Sequence, residues 1–294
     1  MPSFVLDLFA GAGGWDVALD RLGLVGHGIE LDPHAVATRA ARGFATVHDD
    51  VTTFLAREDA GAVPYVGLVA SPPCTDWSDA GKRRKLAGKT GELVHALLPF
   101  VTRLAPAWVA FEQVPSVLDV WESLACTLSC ELGYHTWRGV LSSEEYGTPQ
   151  VRKRAILIAS RARRVCPPVP THRPHDALGV RLGGGRLPPP VTMAQALGWT
   201  HPGWWQERPA TTVVSEFRPH VITAPGHRKR DKHDFVTRQH AGAEVTVPEA
   251  SILQGFPPDY PWQGPPTSVR RQIGNAIPSQ LAEAIVRTAA GLSG

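Results

Sequence analysis

The residues best equipped for chemistry are a thiol, several carboxylates, two guanidiniums and a run of glycines. "SPPCTDWSDAG" (71–81) places Cys74 after two prolines, which neither extend a helix nor donate a backbone hydrogen bond. The apolar run "YVGLVA" (65–70) before them reads as a buried strand, so Cys74 is expected on a stiff loop at a strand end. Residue type alone leaves a packed thiol, a metal ligand and a nucleophile open. "FEQVPSV" (111–117) ends another strand with Glu112, a carboxylate where a sheet opens. "YGTPQVRKRAILIA" (146–159) puts Arg152 and Arg154 on one side of an extended chain by period two. A nucleophile, a carboxylate and two guanidiniums at strand ends make a constellation rather than a stray thiol.

A second group surrounds "DLFAGAGGWDVAL" (7–19), a strand, a glycine-rich turn and a helix start. Gly11, Gly13 and Gly14 let a ligand approach the backbone at a positive helix end. The third glycine of a dinucleotide fingerprint is missing, and Asp16 stands there. Glu30 ends the second strand about 20 residues on, where an acid can accept both hydroxyls of a ribose. Asp50 in "VHDDVT" could accept from an adenine amino group or simply cap a helix. Together they indicate an adenosine-type cofactor without choosing between NAD and S-adenosylmethionine.

The elements that must hold these residues alternate through residues 1–160. "SFVLDLFA" (3–10), "VGHGIELD" (25–32), "YVGLVA", "WVAFEQV" (108–114) and "RAILIAS" (154–160) read as strands. "GWDVALDRLG" (14–23), "PHAVATRAAR" (33–42), "GELVHALLPFVTRLA" (91–105) and "VWESLACTLSCELG" (120–133) read as helices. This rhythm predicts an α/β fold with a doubly wound, mostly parallel sheet, in which ligands bind at the carboxyl ends of strands. Beyond 160 the Pro/Gly-rich "RVCPPVPTHRPHD" and "RLGGGRLPPPVT" break regular structure. "TVPEASILQGF" (246–256) opens with a Thr cap and a Pro at the second helical residue, and the chain closes on an amphipathic helix.

Net charge is only +3, but residues 161–240 hold thirteen Arg/Lys against five Asp/Glu. A basic segment beside an acidic body suggests a polyanionic partner. The four cysteines (Cys74, Cys126, Cys130, Cys166) match no zinc pattern, and Cys126 and Cys130, one helical turn apart, are expected in the core. Sparse cysteine, no signal peptide at the N-terminus and no apolar run of about 20 residues point to a cytoplasmic protein with no membrane span and no metal.

These motifs, in this order, closely resemble the DNA (cytosine-5)-methyltransferases over nearly the whole chain. "DLFAGAGG" is similar to the family's first motif, "SPPCTDWS" to its Pro-Cys motif and "QVRKR" to its Gln-x-Arg-x-Arg motif. "RPATTVV" (208–214) is similar to the segment that organises the recognition domain, and "QIGNAIP" (272–278) to the last motif. The resemblance implies a Rossmann-like S-adenosylmethionine-dependent fold, with residues 1–160 plus 268–294 as catalytic and cofactor domain. Residues 161–267 would form a small target-recognition domain, with duplex DNA in the cleft between. It implies that Cys74 adds to C6 of a flipped-out cytosine, so that C5 can take the methyl group. Glu112 would hold N3 and the exocyclic amine, and Arg152 and Arg154 the carbonyl oxygen, a phosphate or the Cys loop. Phe9, Gly11, Gly13, Glu30, Leu31, Asp50, Pro72, Leu93 and Asn275 would line the cofactor site. Lys82, Arg83, Arg84 and Lys85 fit a mobile lid meeting phosphates, and Arg228, Lys229 and Arg230 further phosphate contacts. A monomer is expected, and a partner restriction endonuclease is left open.

The chain departs from the family in two places. The usual Glu-Asn-Val is Glu112-Gln113-Val114, whose amide reaches one methylene further. The stretch between "RAILIAS" and "RPATTVV" is only 47 residues, so few side chains remain to read bases. Three rivals stay on the table: a tRNA cytosine methyltransferase of the same fold, a catalytically silent DNA-binding protein, and an NAD-dependent oxidoreductase.

Overall fold

The computed structural model describes residues 3–73, 92–175, 187–199, 207–214, 222–223, 242–243 and 245–292. The chain forms two compact units. The first comprises Met1–Leu141, Lys153–Val169 and Ala282–Gly294, and the second Ser142–Arg152 and Pro170–Leu281.

The first unit is built on a seven-stranded sheet. Its strands are β1 (Phe4–Leu8), β2 (Val25–Glu30), β3 (Ala45–His48), β4 (Tyr65–Ala70), β5 (Trp108–Gln113), β6 (His135–Ser142) and β7 (Lys153–Ser160). They lie in the order β3-β2-β1-β4-β5-β7-β6. β1 pairs in parallel with both β2 and β4, so the order reverses there and makes the switch point at which doubly wound sheets bind ligands. β7 enters antiparallel against β5, with Gln113 opposite Ala155 and Trp108 opposite Ser160. Its amino end therefore reaches the edge where the parallel strands have their carboxyl ends. Fully buried Leu6, Leu8, Leu68, Val109, Phe111 and Leu157 are in the core.

α1 (Gly14–Arg21), α2 (Pro33–Arg42), α3 (Val51–Ala56), α4 (Leu97–Leu104) and α5 (Leu118–Cys130) connect these strands. α2 starts as a capped helix should: Asp32 accepts from the His34 amide at 2.9 Å, Pro33 is the first helical residue, and Gly43 closes it at φ 84°. The helix expected over 91–105 is interrupted, with a 3-10 turn at Glu92–Val94 and α4 only from Leu97. Pro99 explains this, because its ring excludes the carbonyl four residues back from a continuous helix.

In the second unit α6 (Met193–Leu197) and α7 (Val247–Leu253) carry reciprocal capping boxes from Thr192/Gln195 and Thr246/Glu249. α8 (Pro266–Asn275) follows, then α9 (Ser279–Ala290), whose residues from Ala282 belong to the first unit. β8 (Ile222–Thr223) and β9 (Gly242–Ala243) form a short antiparallel pair. Met193, Val213, Leu253 and Ile273 share its core.

Cys126 and Cys130 are exposed, not core. α5 buries Trp121, Leu124, Ala125 and Leu128, and positions 126 and 130 fall on the opposite face. No described helix is long and apolar enough to cross a membrane.

Candidate active site

The turn after β1 holds strained backbone. Phe9, bulky and not glycine, adopts φ 58°, and Gly11 follows at φ 54°. A bulky residue in the left-handed region persists only where its surroundings enforce it, and such residues gather at functional sites. A Cβ built on Gly11 would meet nothing within 4 Å, so this glycine faces open space. Gly13 caps α1 at φ 97° with no side-chain hydrogen bond, leaving the first amides of the helix to other acceptors.

Glu30 closes the same site from β2. Its Oε2 accepts the Gly11 amide at 2.7 Å, and Oε1 accepts the amides of Leu31 at 2.9 Å and Asp32 at 2.7 Å. The carboxylate is thus aimed by three backbone donors before any ligand arrives. Leu31 beside it is 59% exposed, an apolar side chain held in solvent at the sheet's carboxyl edge. Asp50 caps α3, accepting the Thr52 amide at 2.8 Å and the Thr52 hydroxyl on the same Oδ1. The Thr52 hydroxyl chiefly holds the Asp50 carboxyl below its ordinary value, against the opposing effect of partial burial. Both bonds fall on Oδ1. Leu93 is half-buried in the 3-10 turn before α4.

Asp16, at the place of the missing fingerprint glycine, meets Arg39 of α2. Arg39 donates from Nη1 at 2.5 Å and Nη2 at 3.0 Å, with both side chains out of solvent. In a dinucleotide fold the third glycine allows close packing of helix on strand. Here β2 supplies the space instead: a Cβ on Gly26 would lie 2.1 Å from Asp16 Oδ1, and one on Gly28 2.1 Å from Arg39 Nη2. Arg39 also reaches the Ala10 carbonyl at 3.4 Å and the Thr46 hydroxyl at 2.8 Å. Asp7 is fully buried, with neither carboxyl oxygen hydrogen-bonded and Arg39 Nη1 3.8 Å away. Burial, then the Asp16 charge, pushes its pKa well above the usual carboxylate range, with Arg39 opposing.

On the other side of the switch point, Glu112 and Arg154 form an ion pair at 2.7 Å, their side chains 6% and 12% exposed. The antiparallel register creates it. Glu112 is opposite Ile156, so Arg154 is its diagonal neighbour on the same face. Arg154 engages Oε1, and Oε2 of Glu112 bonds no described residue.

Gln113 has a separate task. Its Nε2 donates to the Pro72 carbonyl at 2.6 Å, and its Oε1 accepts the Val114 amide at 2.6 Å. The longer amide thus folds back on its own backbone and fastens buried Pro72. Trp15 donates to the Ser71 hydroxyl at 3.0 Å.

The two arginines that period two places together have different partners. Arg152 precedes β7 and belongs to the second unit, 2% exposed. It donates to the carbonyls of Val213 at 2.8 Å and Gly274 at 2.7 Å. Gln150 works alongside: it donates to Leu253 O at 3.1 Å and Gln254 Oε1 at 2.7 Å, and accepts the Val213 amide at 2.9 Å. Gln150 and Arg152 therefore bind together the "RPATTVV" segment, α7 and the end of α8. Asn275 is the exposed last residue of α8 in that unit. Cys74, the basic residues Lys82, Arg83, Arg84 and Lys85, and Arg228, Lys229 and Arg230 lie outside the described residues.

Sequence reasoning missed Arg39, Trp15 and Gln150. Gln150 carried a signal, since it opens the Gln-x-Arg-x-Arg motif. Arg39 on a helix of ordinary polarity carried none.

The model of the C-5 cytosine-specific DNA methylase family matches residues 4–177 and 192–290. Among curated relatives, Type II methyltransferase M.HgiDI of Herpetosiphon aurantiacus is 27% identical over 296 residues, covering 94% of this chain and 91% of the relative. Type II methyltransferase M1.HphI of Haemophilus parahaemolyticus is 24% identical over 325 residues, covering 95% and 84%. The solved Entamoeba histolytica methyltransferase EhMeth shares the fold, with a TM-score of 0.71 over 100% of both chains at 12% identity. With the family's model spanning nearly all of the sequence, the chain belongs to the C-5 cytosine-specific DNA methylase family.

Proposed function

We propose that this enzyme methylates C5 of a flipped-out cytosine in duplex DNA through a covalent bond from Cys74 to C6. The single observation that carries the reading is the Glu112–Arg154 pair at the carboxyl edge of β5, beside the Gln113 tie to Pro72. Cytosine C5 is a poor nucleophile. A thiolate added at C6 makes the ring an enamine, negative charge develops toward N3 and O2, and C5 becomes reactive. Glu112, oriented by Arg154, presents Oε2 to the N3 and exocyclic-amine edge, where a proton shared with N3 neutralises the charge developing there. The Arg154 guanidinium supplies positive charge beside it. After transfer the C5 proton leaves and the thiolate is expelled.

S-adenosylmethionine supplies the methyl group as an electrophile on a sulfonium. The residues present fit it: Gly11 faces open space, Leu31 offers an uncovered apolar surface, and Glu30 is a carboxylate aimed by three amides. Glu30 would accept the ribose hydroxyls, Leu31 and Phe9 would flank the adenine, and Asp50 Oδ2 would accept the adenine amine. Arg152 holds the second unit's segments in register instead of touching the base. Lys82–Lys85 and Arg228–Arg230 would hold phosphates, with target DNA read by the small recognition region.

The test is duplex DNA prepared with 5-fluorocytosine, in which fluorine cannot leave as the C5 proton does. The enzyme with cofactor should form a denaturation-resistant adduct, absent with Cys74→Ala. Methyl transfer to unmethylated genomic DNA should exceed transfer to tRNA. A Cys74→Ala enzyme that still methylates, or a preference for tRNA, would overturn the proposal.

A further inference from the structure

We propose that Trp15 is a positioning residue for methyl transfer: its indole N–H on Ser71 Oγ ties the cofactor turn to the segment leading into Cys74. The inference rests on the function proposed above and adds a residue to it.

Ser71, Pro72 and Pro73 connect β4 to Cys74 in sequence. The two prolines have no N–H, so Ser71 offers the only backbone donor of this stretch. Three ties hold it. The Ser71 amide reaches the Leu8 carbonyl at 3.4 Å, a long bond. The Ser71 hydroxyl takes the Trp15 indole at 3.0 Å. The Pro72 carbonyl takes Gln113 at 2.6 Å. The first two come from the two sides of the strained Phe9–Gly14 turn, because Leu8 precedes it and Trp15 follows it. Trp15 is 2% exposed, and a buried indole N–H, which can only donate, needs an acceptor. Ser71 is that acceptor. Because Trp15 directly follows Gly14, a displacement of the turn on ligand binding is passed to Ser71, and the ordered turn in return fixes the root of the Cys74 segment.

The experiment compares Trp15→Phe, Ser71→Ala, the double variant and Ser71→Thr with wild type. Single-turnover methyl transfer to unmethylated genomic DNA is measured at saturating cofactor and DNA, with cofactor Kd by calorimetry and thermal melting alongside. Each single variant should transfer roughly 3–10-fold more slowly, the range of one neutral hydrogen bond. Ser71→Ala should change cofactor Kd less than about twofold, because the loss falls on the transfer step. The double variant should be no slower than the slower single, since both remove one bond. Ser71→Thr, which keeps the hydroxyl, should recover the rate. Unchanged single-variant rates with Cys74→Ala inactive would overturn the tie alone, as would losses that multiply in the double variant. If Trp15→Phe fails to fold, Ser71→Ala against Ser71→Thr decides by the same criteria. An active Cys74→Ala enzyme would instead overturn the reading on which the tie depends.

Discussion

Arg39→Met should be among the most destabilising single changes in the first unit, and its cost should depend on pH. Arg39 is wholly buried and bonds Asp16 at 2.5 Å and 3.0 Å, with Asp7 3.8 Å away. Methionine fills most of the same space but leaves two buried acids with no counter-charge. Removing one partner of a buried pair costs about 3–5 kcal/mol, a large share of a total stability of about 5–15 kcal/mol. The pH dependence has a definite sign. Without Arg39, burial and the Asp16 charge raise the Asp7 carboxyl in the folded state, unopposed, still further above its unfolded value. The folded state then keeps protons that the unfolded state has released, so stability falls as pH rises above the ordinary carboxylate range near 4. Urea unfolding followed by circular dichroism at pH 5.5 and pH 8 measures this. The deficit should be larger at the higher pH, and Asp16→Leu with Arg39→Met should recover much of it. A deficit below about 1 kcal/mol, or one equal at both pH values, would refute the argument that buried charge holds this corner together.

Two further predictions concern the two halves of the site. Gly11→Ala should cost about 1–2 kcal/mol, since a Cβ at φ 54° is strained although it strikes nothing. It should also weaken S-adenosylmethionine binding in calorimetry, because the new methyl occupies the open side of the turn; unchanged affinity would remove Gly11 from the cofactor site. Glu112→Gln keeps the shape and one acceptor but loses the charge paired with Arg154, so single-turnover transfer should slow by about 10²–10³-fold while DNA affinity changes little. A variant within threefold of wild type would show that Glu112 is not the group facing the base.

Local pattern decided much of this protein. Five strands were legible because β1, β2, β4, β5 and β7 include short runs buried on both faces of the sheet. The Thr246–Pro248 helix start was legible because capping is settled within four residues. β3 and β6 were not, since both lie at sheet edges with patterns mostly half-buried or exposed, and so lack an apolar run. Site residues divide in the same way. Glu30 and Gly11 belong to one strand–turn–helix–strand unit, and their spacing announces their meeting. Glu112 and Arg154 meet only because β7 runs antiparallel beside β5, a pairing between segments 40 residues apart. Arg152, two residues earlier, shares the motif but goes to Val213 and Gly274. Asp16, read as a missing glycine, found its reason in Gly26, Gly28 and Arg39, residues on two other elements. Sequence determines what neighbours along the chain impose on one another: strand, helix, cap and turn. Which charges share one dry pocket is decided by the sheet order, because a buried charge is tolerable only where folding has already brought its partner.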